Sequence, residues 1–461
     1  MTKRKWLVAI LVLSVLARVG VALYLGNVVD APRLLTDQRS YDALARRILA
    51  GHGYSFDRGW YPFTPPDTPT AHWSFLHPLF IAAIYALFGP NPLAARLTQA
   101  VLGGLLLPWM VHRFARQLLP GREIIALLAA AMTAVYGYFV LYAATLMTET
   151  FFIALVVWSL EISLRLGAQL RARGSASRHD LVLLGLSLGL ATLMRQSILP
   201  WVPVLFLWLL WQARGHRAFR QNVGGLILPG LVIVALMAPW TYRNYRVYGQ
   251  FLLLNSNTGY AMYSAQHPMH GTRFSEFAAA PVPEDLPKGN EAQMDRELMR
   301  RGLGFVRDDP GRYLLLSLDR VRAYFEFWPT PDTSLLHNVG RVVSYGIFLP
   351  FMIYGLFLAF KEGRLAGANG IIPLFMVFYA VLHILTWAMV RYRLPVDALL
   401  MPLAALAVER LAARGYAWSA VWHGANMVNL HYGRSEIRAQ RTAPRDTYSL
   451  GVHPDQVGND E

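Results

Sequence analysis

The sequence predicts an all-α polytopic membrane protein, and three observations support that class. First, 55% of the residues are hydrophobic and only 15% are charged, a balance that a soluble protein of 461 residues could not bury. Second, about ten apolar runs have the length expected of membrane helices. Third, the Lys and Arg residues behind the net charge of +15 lie mainly between these runs, which is typical of topology signals rather than of a nucleic-acid surface.

The first element is the apolar run from Trp6 to Leu25, which follows the basic residues 3–5. Its length of ~20 residues suffices to span a bilayer, and no small-residue cleavage site follows it. We therefore expect an uncleaved transmembrane helix with a cytoplasmic N-terminus. The chain contains no cysteine, which excludes disulfides, zinc-thiolate sites and cysteine nucleophiles.

Nine further apolar runs are expected to be membrane helices, and one shorter run decides the topology. The run at 77–89 has roughly 13 residues, too few for a comfortable crossing, so we interpret it as a juxtamembrane helix. The basic connections 113–122, 165–178 and 214–220 then lie in the cytoplasm, as the positive-inside rule prefers. The nine runs are 93–111, 123–143, 149–166, 180–194, 197–211, 222–240, 339–360, 370–389 and 394–412.

This topology places two long loops on the outer face, the first loop at 27–92 and the large loop at 241–338. The turns at 142–150, at Arg195 and at 390–395 are expected to join them there. We therefore expect an integral inner-membrane protein with both termini in the cytoplasm and an extracytoplasmic active site.

The organisation of the remaining chain follows from its residue pattern. Apolar residues at helical spacing in 291–329, interrupted at Pro310-Gly311, predict two amphipathic helices in the large loop. Residues 413–461 are polar and charged without a long apolar run, which predicts a cytoplasmic tail. The membrane module that carries the active site is expected at 1–412.

The stretch TDQRSYDALARRILAG at 36–51 predicts a short amphipathic helix at the outer membrane surface. Tyr41 begins its apolar stripe, whereas Asp42 lies on the polar face and is expected to be solvated. Thr36 or Asp37 can cap the N-terminus of this helix. Asp37 therefore has two interpretations: a helix cap, or a functional carboxylate whose direction is fixed by the capped helix end.

Glu149 follows the outer turn TLMTET and opens an apolar helix. A carboxylate at a helix N-terminus is electrostatically favoured, so a capping role explains it. Its depth in the membrane favours a functional role, because ionisable groups there are costly.

Arginines recur where outer loops meet helices, at positions that the positive-inside rule disfavours. Snorkelling to lipid headgroups explains any single arginine. Several arginines around one outer cavity instead suit a phosphate, whose oxygens accept paired hydrogen bonds from guanidinium groups, and we favour this anion-site hypothesis. The candidates are Arg195, Arg243, Arg246, Arg391 and Arg393, with Asn244 and Tyr392 beside them.

No motif supports a confident metal or nucleotide site. The sequence lacks a His-x-x-x-His pair and a phosphate-binding Gly-x-x-x-x-Gly-Lys-Ser/Thr loop. His77 is a further site candidate, although an interfacial His beside aromatic residues is more often a packing residue. The cofactor is left open, with a divalent metal as one candidate.

The order of these features resembles the GT-C-fold glycosyltransferases, in the branch with protein O-mannosyltransferases, the lipid A aminoarabinose transferase and related bacterial enzymes that use polyprenyl-phosphate sugars. The resemblance covers about residues 5–412. The segments that carry it are, in order, TDQRSYDALARRILAGHGYSF, HPLFIAAIYALFGPNPLAARL, TETFFIALVVWSLEISLR, LGLATLMRQSILPWVP, APWTYRNYRVYGQFLLLNSNTGYAMYSAQHP and RYRLPVDALLMPL.

The resemblance implies a GT-C-type helical bundle and an inverting transfer of a sugar from a polyprenyl-phosphate donor to an acceptor hydroxyl on the outer face. It maps the general base to Asp37 and a second functional acid to Glu149. Arg243, Arg391 and Arg393 become the first candidates to stabilise the leaving lipid phosphate. The acceptor can be a lipid, a glycan or a protein, each of which presents hydroxyl groups.

The chain departs from the family pattern at two places. Members often have Asp-Glu where this chain has Asp37-Gln38, and a charged residue with Pro-Pro where it has Leu76-His77-Pro78. These residues help to build the metal or phosphate site in some members. The resemblance therefore gives no firm support for a metal site in this chain, where His77 is a candidate substitute for the missing residues.

Two other functions stay open at the level of sequence. A transporter or flippase for a lipid-linked sugar would tend to have repeated halves with broken helices, which the sequence does not contain. A GT-C-like assembly subunit without activity would keep the same pattern, and replacement of Asp37 separates it from an enzyme.

Overall fold

The computed structural model describes residues 2–29, 37–214, 224–275, 278–287, 289–331 and 335–414. Within these ranges the regular structure is helical, apart from two isolated β-bridges in the first loop. The chain divides into two compact units, Met1–Ala407 and Val408–Glu461. The second unit is described only at 408–414, which is helical, so the predicted tail lies outside the described residues from 415 onwards.

The helices of the first unit are numbered here in chain order. Helices α1 to α9 are Lys3–Leu25, Asp37–Leu49, Leu76–Phe88, Pro92–Leu118, Glu123–Val135, Gly137–Ala143, Glu149–Arg173, Arg178–Met194 and Trp201–Gln212. Helices α10 to α16 are Ile227–Tyr248, Thr258–Gln266, Glu291–Asp308, Pro310–Tyr324, Leu335–Arg341, Ile347–Lys361 and Ile371–Leu385. The last helix, α17, covers 390–407 within this unit.

Among the described residues, five helices are by themselves long and apolar enough to cross a membrane. They are Lys3–Leu25, Pro92–Leu118, Glu149–Arg173, Asn338–Lys361 and Gly367–Leu385. The bent pair α5 and α6 makes a sixth if it counts as one span. The predicted all-α membrane class is therefore confirmed. The other predicted crossings coincide with α8, α9, α10 and α17, and they stay predictions.

The predicted run 123–143 is not one straight helix, because α5 and α6 meet at a bend of 58°. The bend frees carbonyl groups at the end of α5, and a buried arginine of α1 satisfies them. Arg18 Nη1 donates to the carbonyl oxygen of Ala134 at 2.9 Å, and Nη2 donates to that of Thr133 at 3.2 Å. A break at membrane depth is tolerated where the freed groups find such partners.

Helices α2 and α3 pack against each other beside the membrane helices. Tyr41 and Ala45 of α2 contact Ile81 and Tyr85 of α3, which confirms the predicted apolar stripe. The expectation that Asp42 is solvated is wrong. Its carboxylate is buried and accepts hydrogen bonds from the Tyr85 hydroxyl and from Arg46 Nε, the latter at 2.9 Å. A buried carboxylate is retained where such donors replace water.

The large loop contains the two predicted helices, α12 and α13, and the break falls where the sequence places it. Asp309 caps α13 through its contact with the Arg312 amide, and Pro310 occupies the first turn. At the start of α12, the buried carboxylate of Glu291 accepts hydrogen bonds from Thr64 at 2.8 Å and Ser256 at 2.8 Å. These bonds fasten the large loop onto the first loop.

Candidate functional site

Asp37 is the first residue of α2, and its side chain is 25% exposed. Thr36, the alternative cap, lies outside the described residues. The Oδ2 atom of Asp37 accepts a hydrogen bond from Arg391 Nη1 at 2.7 Å, across 354 positions of the sequence. The first loop and α17 therefore meet at the carboxylate that the sequence singles out.

Glu149 is the first residue of α7 and is almost completely buried, with 2% of its side chain exposed. Its Oε1 atom accepts a hydrogen bond from Arg195 Nη1 at 2.6 Å and lies 3.7 Å from Arg391 Nη1. Its Oε2 atom is buried and has no hydrogen-bond partner among the described residues. Glu149 thus lies close to two of the arginines proposed for the anion site, and its Oε2 atom accepts no hydrogen bond from the described residues.

These four residues form what we call the charged cluster: Asp37, Glu149, Arg195 and Arg391. Both arginines also contact the ring of Tyr392. The guanidinium of Arg195 is 4.8 Å from the centre of this ring, and that of Arg391 is 5.4 Å from it. Cation–π contacts of this kind hold guanidinium groups in place without using their N–H donors.

Tyr41 also belongs to this site, since the charges of all four cluster residues act on its hydroxyl. Burial raises the pKa of Tyr41 well above its ordinary value, and the negative charge of Asp37 raises it further. The phenol therefore stays protonated at neutral pH and can serve as a hydrogen-bond donor beside Asp37.

His383 is a site residue that the sequence reasoning missed. Its ring stacks on Tyr392 with centroids 4.6 Å apart, and its Nε2 atom is buried without a hydrogen-bond partner in the described structure. The signal was present, because a histidine inside the apolar run 370–389 is an ionisable group at membrane depth. No Asp, Glu, Lys or Arg accompanies it in that run, so the run as a whole predicts only an apolar membrane helix.

Arg393 does not join the charged cluster, although it is only two residues from Arg391. Successive helix residues are about 100° apart, so the two arginines project in different directions. Arg393 is fully buried, and its Nε donates to Asp397 at 3.0 Å while Nη1 donates to the Tyr324 carbonyl at 2.7 Å. Its position indicates an anchor between the large loop and α17.

The candidates at the end of α10 make their contacts elsewhere. Arg243 donates to Asn244 at 3.1 Å, and Arg246 donates to the Tyr242 hydroxyl at 3.1 Å. Asn244 donates to the carbonyl of Leu254 at 2.7 Å, which holds the turn after the helix. These contacts account for the three side chains structurally, and none of them involves the charged cluster.

His77 is fully buried and packs against Tyr41, with ring centroids 5.0 Å apart. Burial lowers the pKa of His77 to about 4, so the ring is neutral at pH 7 and does not act as a phosphate-binding cation. Among the described residues, no group of three or more His, Asp or Glu side chains could hold a metal ion. Asp37 and Glu149 each pair with an arginine through one oxygen, and no third acidic or histidine ligand accompanies them among the described residues, so this cluster does not fit a divalent metal site.

Chemically, the charged cluster combines a partly exposed carboxylate with two guanidinium groups and a buried carboxylate. Two positive and two negative groups balance formally. The arrangement can hold an anion through the arginines, and it can accept a proton at Asp37. Fold and site together define an all-helical membrane protein with a charged cluster suited to an anion.

Comparisons with known proteins agree with this class. Residues 69–242 match the model of a family described as dolichyl-phosphate-mannose-protein mannosyltransferase. The matched segment contains Glu149 and Arg195 but not Asp37 or Arg391. No curated protein matches the chain.

Two solved structures illustrate the similarity of fold. ArnT from Cupriavidus metallidurans bound to undecaprenyl phosphate superposes with a TM-score of 0.52 at 16% identity, over 92% of this chain and 63% of that one. The archaeal oligosaccharyltransferase AglB from Archaeoglobus fulgidus, in complex with an inhibitory peptide and a dolichol-phosphate, gives 0.57 at 16% identity, over 91% and 52%. The predicted GT-C fold is thereby confirmed, and the chain spans less than two thirds of the length of either protein.

Proposed function

We propose that this chain is an integral membrane glycosyltransferase that moves a sugar from a polyprenyl-phosphate donor to an acceptor hydroxyl on the extracytoplasmic face. The observation that carries the proposal is the contact of Asp37 and Glu149 with one arginine, Arg391, although the three residues lie far apart in the sequence. The matching family and the polyprenyl phosphates bound to two proteins of similar fold support the donor class.

The donor phosphate is proposed to bind Arg391 and Arg195. Both guanidinium groups are oriented by Tyr392 and Glu149, so little side-chain freedom is lost when an anion binds. Arg391 is the more adaptable of the two, because its Nη1 is shared between Asp37 at 2.7 Å and Glu149 at 3.7 Å. A phosphate oxygen competes with these carboxylates for the same donor.

Asp37 acts in this proposal as the general base. One carboxylate oxygen takes the proton of the acceptor hydroxyl while that oxygen forms a bond to the anomeric carbon. The bond from the anomeric carbon to the phosphate oxygen breaks, and its electron pair stays on the phosphate. Attack opposite to the leaving group inverts the anomeric centre. The arginines stabilise the charge that develops on the phosphate.

The test begins with mass spectrometry of envelope glycans and glycolipids from a strain that lacks the gene. A sugar modification that disappears on deletion and returns with the wild-type gene defines the product. Asp37→Asn, which keeps the size and the hydrogen bond but removes the base, is expected to abolish the product at normal expression and membrane insertion. Restoration of the product by Asp37→Asn would refute the base assignment.

Asp67→Asn is a matched control in the same loop. Asp67 is exposed, pairs with Arg47 and has a positive φ of 52°, a conformation that Asn tolerates well. This variant should restore the product fully. The transporter would be established instead by two results together. The wild-type protein would release no sugar from undecaprenyl-phosphate mannose or any other polyprenyl-phosphate sugar, and it would move such a lipid between the leaflets of a vesicle.

A further inference from the structure

Arg96 is a fully buried guanidinium at the junction of three helices, α1, α2 and α4. Its Nη1 donates to the carbonyl oxygens of Leu25 and Gly26, at the end of α1. Its Nη2 donates to the Val28 carbonyl at 2.6 Å and to Oε1 of Gln38 at 2.9 Å. One side chain of α4 thus holds both the end of α1 and the start of α2.

The acceptors around Arg96 explain why a cation is stable there. The last carbonyl groups of a helix lack partners inside the helix and carry the negative end of its dipole, so a guanidinium satisfies both needs. Gln38 contributes the remaining acceptor and is itself buried, with 1% of the residue exposed. The Arg96 junction is therefore formed by groups of the protein itself.

Gln38 directly follows Asp37 in α2, and this spacing gives the two side chains different tasks. Because neighbouring helix residues are about 100° apart, Asp37 can face the charged cluster while Gln38 faces Arg96. The bond from Arg96 to Gln38 then fixes the rotation and depth of the first turn of α2. Asp37 is held at that same turn, 2.7 Å from Arg391.

We propose that Arg96 is a positioning residue that acts through Gln38 to align Asp37 with the acceptor hydroxyl. This inference rests on the proposed glycosyltransferase function. It also accounts for the glutamine at this position: Gln38 serves the helix junction rather than the substrate, and any side chain that offers an oxygen to Arg96 can replace it. A glutamate qualifies, whereas a methionine of similar size does not.

The experiment compares Gln38→Met with Gln38→Glu in the full-length protein. Gln38→Met is expected to lower kcat about 10- to 100-fold, because small misplacements of a catalytic group cost this much. KM and the affinity for undecaprenyl phosphate should stay within about twofold of wild type, since the arginines of the charged cluster are unchanged. Gln38→Glu should keep wild-type kcat.

A spectroscopic measurement tests the junction without an activity assay. The chain has no cysteine, so a single spin label at Arg39→Cys, an exposed position of α2, reports the motion of this helix. The label should become more mobile in the Gln38→Met background and stay unchanged with Gln38→Glu. This result, together with an absence of transfer in the wild type, would support the junction while refuting the proposed function.

Two outcomes would overturn the inference. One is full kcat and an unchanged spectrum for Gln38→Met, which would mean that the bond to Arg96 does not orient α2. The other is an equal loss of kcat in both variants with unchanged label mobility, which would place Gln38 at the substrate. If Gln38→Met fails to fold, retained activity of Gln38→Glu and its loss in Gln38→Leu still test the need for an oxygen acceptor.

Discussion

Replacement of Glu149 by glutamine should strengthen the binding of a lipid phosphate. The substitution keeps an oxygen for the hydrogen bond from Arg195 but removes one negative charge from the charged cluster. The two arginines are then balanced by Asp37 alone. An anion that approaches Arg391 meets less repulsion, so its affinity rises.

The size of this effect follows from the distances in the cluster. Glu149 Oε1 lies 3.7 Å from Arg391 Nη1. A phosphate oxygen hydrogen-bonded to that nitrogen adds about 3 Å, which puts the two negative charges about 6 to 7 Å apart. At an effective dielectric constant of about 20 their repulsion is about 2 to 3 kcal/mol. Its removal corresponds to a roughly 30- to 150-fold lower Kd, and structural relaxation reduces this to about tenfold or more.

The assay is calorimetric titration of undecaprenyl phosphate into protein held in lipid nanodiscs, for wild type, Glu149→Gln and Glu161→Gln. Glu161 is the matched control on the same helix: it is also buried and pairs with Arg113 at 3.2 Å and Arg165 at 2.7 Å. It lies about 18 Å further along α7, beyond the range of strong electrostatic influence.

The two variants should differ in a simple way. Both should lower Tm, because each weakens a buried ion pair. Only Glu149→Gln should bind undecaprenyl phosphate more tightly, and its turnover should fall because the product lipid phosphate leaves more slowly. Unchanged or weaker binding by Glu149→Gln, with a Tm equal to that of Glu161→Gln, would show that the anion does not bind beside this carboxylate.

Three further predictions concern the rest of the protein. Arg393→Met should cost about 3 to 5 kcal/mol of stability, because it leaves the buried carboxylate of Asp397 without its cation. Arg393→Met combined with Asp397→Leu should recover most of the Tm. The affinity for undecaprenyl phosphate should stay constant in both variants. Burial raises the pKa of Asp295 to about 6, from an ordinary value near 3.8. The folded state therefore keeps this proton to a higher pH than the unfolded state, so the free energy of unfolding should fall as the pH rises from about 4 to about 6. Asp295→Asn should flatten the dependence of Tm on pH in that range. Finally, a reporter fused after residue 90 should lie on the outer face and one at 172 in the cytoplasm, and the reverse result would show that α3 crosses the membrane.

The sequence was sufficient for the fold class and for the residues that meet in the charged cluster. Helix periodicity placed Asp37 at the start of α2, and the cost of charge at membrane depth singled out Glu149, Arg195 and Arg391. Both arguments depend on local rules that hold whatever the tertiary structure is. The positions of these side chains relative to one another could not be derived from such rules.

The contacts that the sequence did not reveal have a common physical origin. Asp42 appeared polar and solvated on its own helix, but α3 covers that face and supplies Tyr85 as a donor. Arg393 is only two residues from Arg391 in the sequence, and its contact with Asp397 places it outside the charged cluster. His383 is the one histidine of an apolar run that contains no Asp, Glu, Lys or Arg. In each case the partner that determines the environment of the side chain lies on another helix or on the next turn of the same helix.

The charged cluster has a formal charge of zero before any reaction, since Asp37 and Glu149 offset Arg195 and Arg391. In the proposed transfer, Asp37 becomes neutral in the same step in which the leaving phosphate gains a negative charge. The cluster then carries a charge of +1 in the same step in which the phosphate becomes more negative, without any ion entering from water. Loss of that proton to solvent returns Asp37 to Arg391 and repels the spent phosphate. One proton thus controls both the stabilisation of the leaving phosphate and its later release.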